Sequence, residues 1–173
     1  MSVFLQPIYT QTVGSGGATG VTFSNIPQTY TDLMLKISVA GVYSGGNDSL
    51  GMYFNGSQAN ESNTNLQGNG SSAYSQRSTY RGIGPINSIG FGGANVFSNG
   101  EIYIPNYAGA NYKQVIVDLV AENNGTTGYQ QMTSMLWSQT AAITSLTFDT
   151  ATSGQNIAQY SKFSLYGVLR QGI

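Results

Sequence analysis

Apolar and polar side chains alternate along most of this chain. The clearest stretch is 33–39, which reads Leu-Met-Leu-Lys-Ile-Ser-Val. A strand points successive side chains to opposite faces, so this spacing predicts a strand with one buried face. The same period of two recurs in 21–23, 50–54, 102–105, 115–119, 143–148 and 163–165. A helical period is hard to find, and we predict about ten short strands separated by turns.

Asn-Gly pairs indicate turns between these segments. They occur at Asn55-Gly56, Asn69-Gly70, Asn99-Gly100 and Asn124-Gly125. Both residue types tolerate positive φ, which tight hairpin turns require, so each pair predicts a turn. The last pair is predicted to join the strand through Val117 to a strand over 126–137. The segment 82–100 is rich in Gly and contains Pro85, and we predict a long surface loop or crossing segment there.

These elements predict one all-β domain over residues 1–173, an antiparallel two-sheet β-sandwich that is jelly-roll-like. The length of 173 residues allows a single core, and 40% of the residues are hydrophobic. Phe23, Phe54, Phe148, Phe163 and Trp137 fall at apolar strand positions and are predicted to lie in that core.

Charge is scarce for a soluble domain. Asp, Glu, Lys and Arg make up 8% of the chain, against about 25% in an average domain. A neutral polar surface suits dense packing beside identical copies, where like charges would repel. The six Lys and Arg residues are scattered singly, so we expect no nucleic-acid partner. We expect no membrane partner either, because no polybasic cluster or long apolar run is present and 1–7 has no signal-peptide pattern.

The inventory of reactive side chains argues against catalysis. The chain has no His and no Cys, which removes the commonest general base and all thiolate chemistry. Asp118 and Glu122 are four residues apart on a predicted strand, roughly 13 Å from each other, which is too far for a glycosidase pair. We therefore expect no enzyme and no cofactor. The lack of His and Cys also predicts a stability that hardly changes between about pH 6 and pH 9.

A calcium site would need oxygen ligands. Asn47, Asp48, Asn60 and Glu61 could offer oxygen ligands to calcium, but their spacing matches no calcium-binding loop. A turn-forming role for them is favoured, and no metal site is predicted.

Four tyrosines are the candidate interface or ligand contacts. Tyr74, Tyr80, Tyr107 and Tyr112 all lie in polar stretches rich in Gly and Asn. Tyr combined with Asn, Ser and Gly is typical of adaptable binding surfaces, where these rings would touch a neighbouring subunit or stack on a sugar. The alternative is that they cap the ends of the sandwich with their hydroxyls in water.

Several stretches of the sequence resemble a family of small structural proteins of tailed bacteriophage virions. The residues that carry the resemblance are 7–13, 21–33, 54–56, 66–71, 101–107, 136–138, 140–146 and 163–168. It spans nearly the whole chain and includes the runs Ile-Tyr-Ile-Pro-Asn-Tyr and Phe-Ser-Leu-Tyr-Gly-Val. The resemblance implies a β-sandwich displayed on a phage particle, and it carries no catalytic motif.

Two functions of different class follow as expectations. The first is a capsid decoration (cement) protein that docks on the head lattice, with the major capsid protein or other virion proteins as partners and a dimer or trimer as its own state. The second is a receptor-binding or carbohydrate-binding module at a tail or fibre tip, with a host-surface glycan as ligand. We expect synthesis in the host cytoplasm and location in the virion, on the capsid surface in preference to the tail.

Overall fold

The computed structural model describes residues 3–123, 125–152 and 154–170. Within these ranges the chain forms twelve strands and no helix. The strands are β1 (Val3–Thr12), β2 (Val21–Phe23), β3 (Asp32–Gly41), β4 (Asp48–Phe54), β5 (Glu61–Gly68), β6 (Ala73–Ser78), β7 (Gly82–Ser88), β8 (Ser98–Pro105), β9 (Lys113–Glu122), β10 (Gly128–Trp137), β11 (Leu146–Thr150) and β12 (Lys162–Arg170).

The strands form two antiparallel sheets of unequal size. The larger sheet has the order β1-β12-β3-β8-β9-β10-β5-β6. The smaller sheet has the order β2-β11-β4-β7. A short parallel pairing of β3 with β7, at Ala40–Asn87 and Gly41–Ser88, joins them into one continuous hydrogen-bonded path.

The two sheets pack face to face around a single core. Phe54 of β4 contacts Trp137 of β10 with ring centroids 5.1 Å apart, and Phe148 of β11 contacts Phe163 of β12 at 5.2 Å. The strands in each pair are not hydrogen-bonded to each other, so these rings meet across the space between the layers. Alternate residues of β9, such as Val117, point into the core, as the period of two predicts.

The predicted all-β sandwich is therefore confirmed, and so is the burial of the four phenylalanines and the tryptophan. The jelly-roll connection is not confirmed. A jelly roll uses eight strands as two Greek keys, whereas here eight strands lie against four.

The loop predicted over 82–100 is wrong in its first half. Residues Gly82–Ser88 form β7, in which Ile83 and Ile86 are fully buried. The glycines and Pro85 suggested a loop, but β7 is a short strand at the side of the smaller sheet, where a proline is tolerated. The connecting loop is confined to 89–97.

Two of the Asn-Gly turns are confirmed. At Asn55 and Gly56 the φ angles are 51° and 74°, and the amide of Ser57 donates to the carbonyl of Phe54 at 2.9 Å. This tight turn carries the chain from the smaller sheet to the larger one. The pair beginning at Asn69 closes the β5–β6 hairpin, where the Asn69 amide donates to the carbonyl of Ser72 at 3.1 Å.

The turn predicted at Asn99-Gly100 is wrong, because both residues lie inside β8. Gly100 is there because a side chain would collide with the backbone of Asp118 and with Leu119. The turn predicted at Asn124-Gly125 falls partly outside the described residues, but β9 and β10 are paired antiparallel on either side of it.

Candidate functional site

The larger sheet extends two strands beyond the smaller one. Strand β7 packs over β9 and β10, and its first residue, Gly82, accepts a hydrogen bond from Asn63 of β5, whereas the side chains of β6 are exposed or half-buried. An uncovered apolar face would be costly in water, so this overhang has to be polar. It carries amides, hydroxyls and one aromatic ring: Asn63, Asn65 and Gln67 of β5, and Tyr74, Gln76 and Ser78 of β6.

The overhang and the side of β7 together form a polar cleft of about 310 Å³. We call it the amide cleft. Its second wall is built from Asn47, Asp48, Ser49, Gly82, Gly84, Pro85 and Thr152, with Gln131 at the base and Tyr80 at the end. Gly84 lets β7 approach the larger sheet closely, because a side chain there would collide with Leu119 of β9.

The base of the amide cleft is held by side-chain hydrogen bonds. Asn63 Nδ2 donates to the carbonyl oxygens of Tyr80 and Gly82, at 2.5 and 3.0 Å. Gln67 Nε2 donates to Gln131 Oε1 at 2.7 Å. The Asn63 bonds tie β5 to the start of β7, and the Gln67 bond ties β5 to β10, so the side chains at the base are held in place.

Three buried acceptor oxygens of the residues that line the cleft have no hydrogen-bond partner among the described residues: Asp48 Oδ2, Asn63 Oδ1 and Asn65 Oδ1. Asp48 and Asn63 are only 2% and 3% exposed, and Asp48 Oδ2 packs against Gly41. The other carboxylate oxygen of Asp48 accepts from the Ser49 amide and from Thr152 Oγ1, both at 2.7 Å. Buried polar atoms without partners are rare, so the layer behind the cleft is unusually rich in acceptors.

Two tyrosines stand at the edges of the cleft. Tyr74 and Tyr80 are 48% and 43% exposed. Tyr80 is fixed, because its hydroxyl donates to the carbonyl of Ala151 at 2.6 Å and the Arg81 guanidinium lies 5.3 Å from its ring centre. Arg81 is in turn paired with Asp149 at 3.0 Å. The fold thus brings two of the four candidate tyrosines to one site.

The other two tyrosines do not line this cleft. Tyr107 is fully buried, and its hydroxyl donates to the carbonyl of Pro27. Its prediction as a surface contact is wrong, since the polar residues around it belong to a turn that folds over the ring. Tyr112 is exposed just before β9, apart from the amide cleft.

The amide side chains of the cleft are not among the site residues predicted from sequence. Glu61, Asn63, Asn65 and Gln67 occupy alternate positions, which is the period of a strand with a polar inner face. This polar alternation is visible in the sequence, but a search for strands that follows apolar residues does not detect it.

Glu61 lies on the same face of β5 and is buried, with its Oε1 lacking a partner. Burial raises the pKa of this carboxyl from 4.5 to about 7. A titrating group therefore exists near neutral pH, which contradicts the expectation of a pH-independent stability. The other carboxylates considered for chemistry, Asp118 and Glu122, point outward from β9.

No protein-family model, curated protein or solved structure matches this chain. Within 3–123, 125–152 and 154–170, no group of three acidic, His or Cys side chains is placed to hold a metal ion. In the same ranges no helix has the length and apolar character needed to cross a membrane. The case for a function rests on the chain's own residues.

Proposed function

We propose that this protein is a non-catalytic structural component of a tailed-phage virion, a decoration protein that docks on the head lattice. The resemblance of its sequence to small phage virion proteins supports the phage assignment. The observation that carries a docking role is the pair of free strand edges at the two ends of the larger sheet. Among the described residues, strand β1 pairs only with β12, and β6 pairs only with β5.

These edges are weakly protected against pairing. Folded proteins usually block free edges with charged residues, proline or bulges. Strand β1 is ten residues long and has no charged residue, although Pro7 and a bulge between Pro7 and Tyr9 interrupt it. Strand β6 has one charged residue, Arg77. Such edges suit contact with other subunits, including further copies of this chain.

The outer face of the larger sheet offers a further contact surface. Four exposed apolar side chains lie together on β5, β9 and β10: Leu66, Ile116, Val120 and Met132. An exposed ion pair between Lys36 and Glu101, at 2.7 Å, lies beside them. A lattice repeats such weak contacts many times, so each one can be modest.

Copy number tests this proposal. Particles that carry this chain should contain hundreds of copies when its band is quantified against the major capsid protein by gel densitometry. Absence from the particle, or a few copies at the tail, would contradict the decoration role. Lysines introduced at the free edge by Gln6→Lys and Gln11→Lys should lower occupancy on the head, whereas Gln139→Lys, at an exposed loop position after β10, serves as the matched control.

A second function is favoured by one specific observation. The amide cleft has the polar, tyrosine-edged lining of a ligand site, which is what a receptor-binding or carbohydrate-binding module at a tail or fibre tip requires. The same copy-number measurement separates the two locations, because a tail protein is present in a few to a few dozen copies.

A further inference from the structure

We propose that the amide cleft binds a neutral, hydroxyl-rich glycan, with Tyr74 as its stacking platform and Gln76 as a hydrogen-bonding side chain. This inference goes beyond the decoration role and does not depend on where the protein sits on the particle. It depends only on the geometry and chemistry of the cleft.

The open side chains of the cleft define the hydrogen bonds that a ligand can make. Gln76 is exposed and Ser78 is half-buried, and both line the cleft with groups that can donate and accept. The acceptor oxygens Asp48 Oδ2, Asn63 Oδ1 and Asn65 Oδ1 are buried behind this surface. A matching ligand must therefore bring closely spaced groups that both donate and accept, as the hydroxyls of a sugar ring do.

The charge of the cleft selects against acidic sugars. Asp48 is the lining residue that carries a carboxylate, and one of its oxygens remains unpaired. None of the described residues that line the cleft is Lys or Arg, and Arg81, next to Tyr80, is occupied by two hydrogen bonds to Asp149, at 3.2 and 3.0 Å. A sialylated or uronic-acid glycan would meet a negative charge without a compensating positive one, whereas a neutral glycan would not.

The shape of the cleft argues for a glycan over an extended peptide. A peptide strand presents alternate side chains that need apolar pockets. The lining of the amide cleft is dominated by amides, hydroxyls and glycines, with Pro85 and the two tyrosine rings as its apolar surface. A volume of about 310 Å³ is at the small end of the range for ligand sites, about 300–1,000 Å³, which fits a short glycan segment.

Tyr74 and Tyr80 have different roles in this arrangement. The ring of Tyr80 is held by Ala151 and has Arg81 beside it, so it forms a fixed end wall. Tyr74 lies on β6, whose side chains are exposed or half-buried, so its ring is open to a ligand. An aromatic ring gives a sugar a flat apolar surface at small entropic cost.

A glycan panel tests the proposal. The whole protein is screened against neutral oligosaccharides of glucose, galactose, mannose and N-acetylglucosamine, with sialylated and uronic-acid oligosaccharides and unstructured peptides as comparison ligands. We expect binding to at least one neutral oligosaccharide. Binding only to acidic glycans or only to peptides, or no binding to any neutral oligosaccharide at millimolar concentration, would overturn the proposal.

Point variants then locate the site. Tyr74→Ala should weaken binding about tenfold or more, because stacking is lost from a strand that contributes little to the core. Gln76→Ala should also weaken binding, because it removes an exposed side chain that can donate and accept, with circular dichroism confirming that the variant is folded. Tyr112→Ala removes an equally exposed ring outside the cleft and should leave the affinity unchanged. Equal affinity in the parent chain and Tyr74→Ala would place the ligand elsewhere and refute the assignment.

The result of the glycan-binding test does not depend on the decoration role. Failure of glycan binding would leave the copy number on the particle unaffected, and a chain absent from the head could still bind a glycan. Each proposal can therefore fail without the other.

Discussion

Gln67 and Gln131 share a buried hydrogen bond of 2.7 Å between the Nε2 of the first and the Oε1 of the second. They lie opposite each other on β5 and β10. Gln131 Nε2 continues the network to Thr133 Oγ1, at 2.9 Å. The bond therefore links the covered part of the larger sheet to its overhang.

Gln131→Leu should destabilise the protein by about 1–3 kcal/mol, because it leaves Gln67 Nε2 without this acceptor at a buried position. Chemical denaturation measures the change. The double variant Gln67→Leu with Gln131→Leu should cost less than the sum of the two single variants, since no half-satisfied pair remains. Gln130→Leu, at an exposed position on the same strand, should change stability by no more than about 0.5 kcal/mol. A similar loss in both single variants at 130 and 131 would contradict this account.

Stability should fall as pH rises through the range in which Glu61 titrates. The unfolded chain ionises this group near 4.5 and the folded chain near 7, so the folded state binds more protons between these values. The stabilising contribution of protonated Glu61 is complete below pH 4.5 and is lost as pH rises through about 7. We expect a decrease of about 1–3 kcal/mol, visible as a lower melting temperature at pH 8 than at pH 5.

Glu61→Gln should remove most of that slope, because the amide stays neutral at every pH. Glu122→Gln, at an exposed position of β9, leaves Glu61 intact and should keep the slope of the parent chain. A parent chain with the same melting temperature at both pH values would show that the Glu61 carboxyl is not buried as described.

Tyr107→Phe should cost about 1 kcal/mol, because the buried carbonyl of Pro27 loses its donor while the ring still fills the core. Tyr112→Phe should have no measurable effect, since its ring is exposed. Thermal denaturation of the two variants side by side provides the comparison. Equal effects would indicate that Tyr107 is also at the surface, as the sequence alone suggested.

Gly100→Ala should destabilise the protein by about 1–3 kcal/mol, because its new methyl group would overlap the Asp118 carbonyl and the Leu119 side chain. Gly68→Ala is the matched control in the same sheet, with open space where its methyl group would lie. Denaturant midpoints of the two variants should differ clearly. A neutral Gly100→Ala would mean that β8 and β9 can separate slightly without loss of stability.

The core strands could be predicted because apolar burial leaves a simple trace in sequence. In β3 and β9 one face is covered by the smaller sheet and the other meets water, so alternation of residue type reports both faces. The phenylalanines and Trp137 follow the same rule, and their burial was predicted from strand position alone.

The remaining features depend on contacts between distant segments. Strand β7 is buried because of its position between the sheets. Gly84 and Pro85 are typical of loops, so the local sequence does not indicate this strand. The amide cleft requires β5 to extend past β7, and this follows from strand order, which local patterns do not encode. Tyr74 could be selected as a candidate from its polar neighbours, but the same criterion also selected the buried Tyr107.

Strands β5 and β6, which extend beyond the smaller sheet, form a region in which substitutions cost little stability. Every side chain of β6 is at least partly in contact with solvent, and its partner strand is anchored to β10 along its whole length. Substitutions at Tyr74 and Gln76 would therefore alter the lining of the cleft while leaving the folding of the domain intact. Single-residue changes there would vary the surface of the protein without any change to the sandwich that supports it.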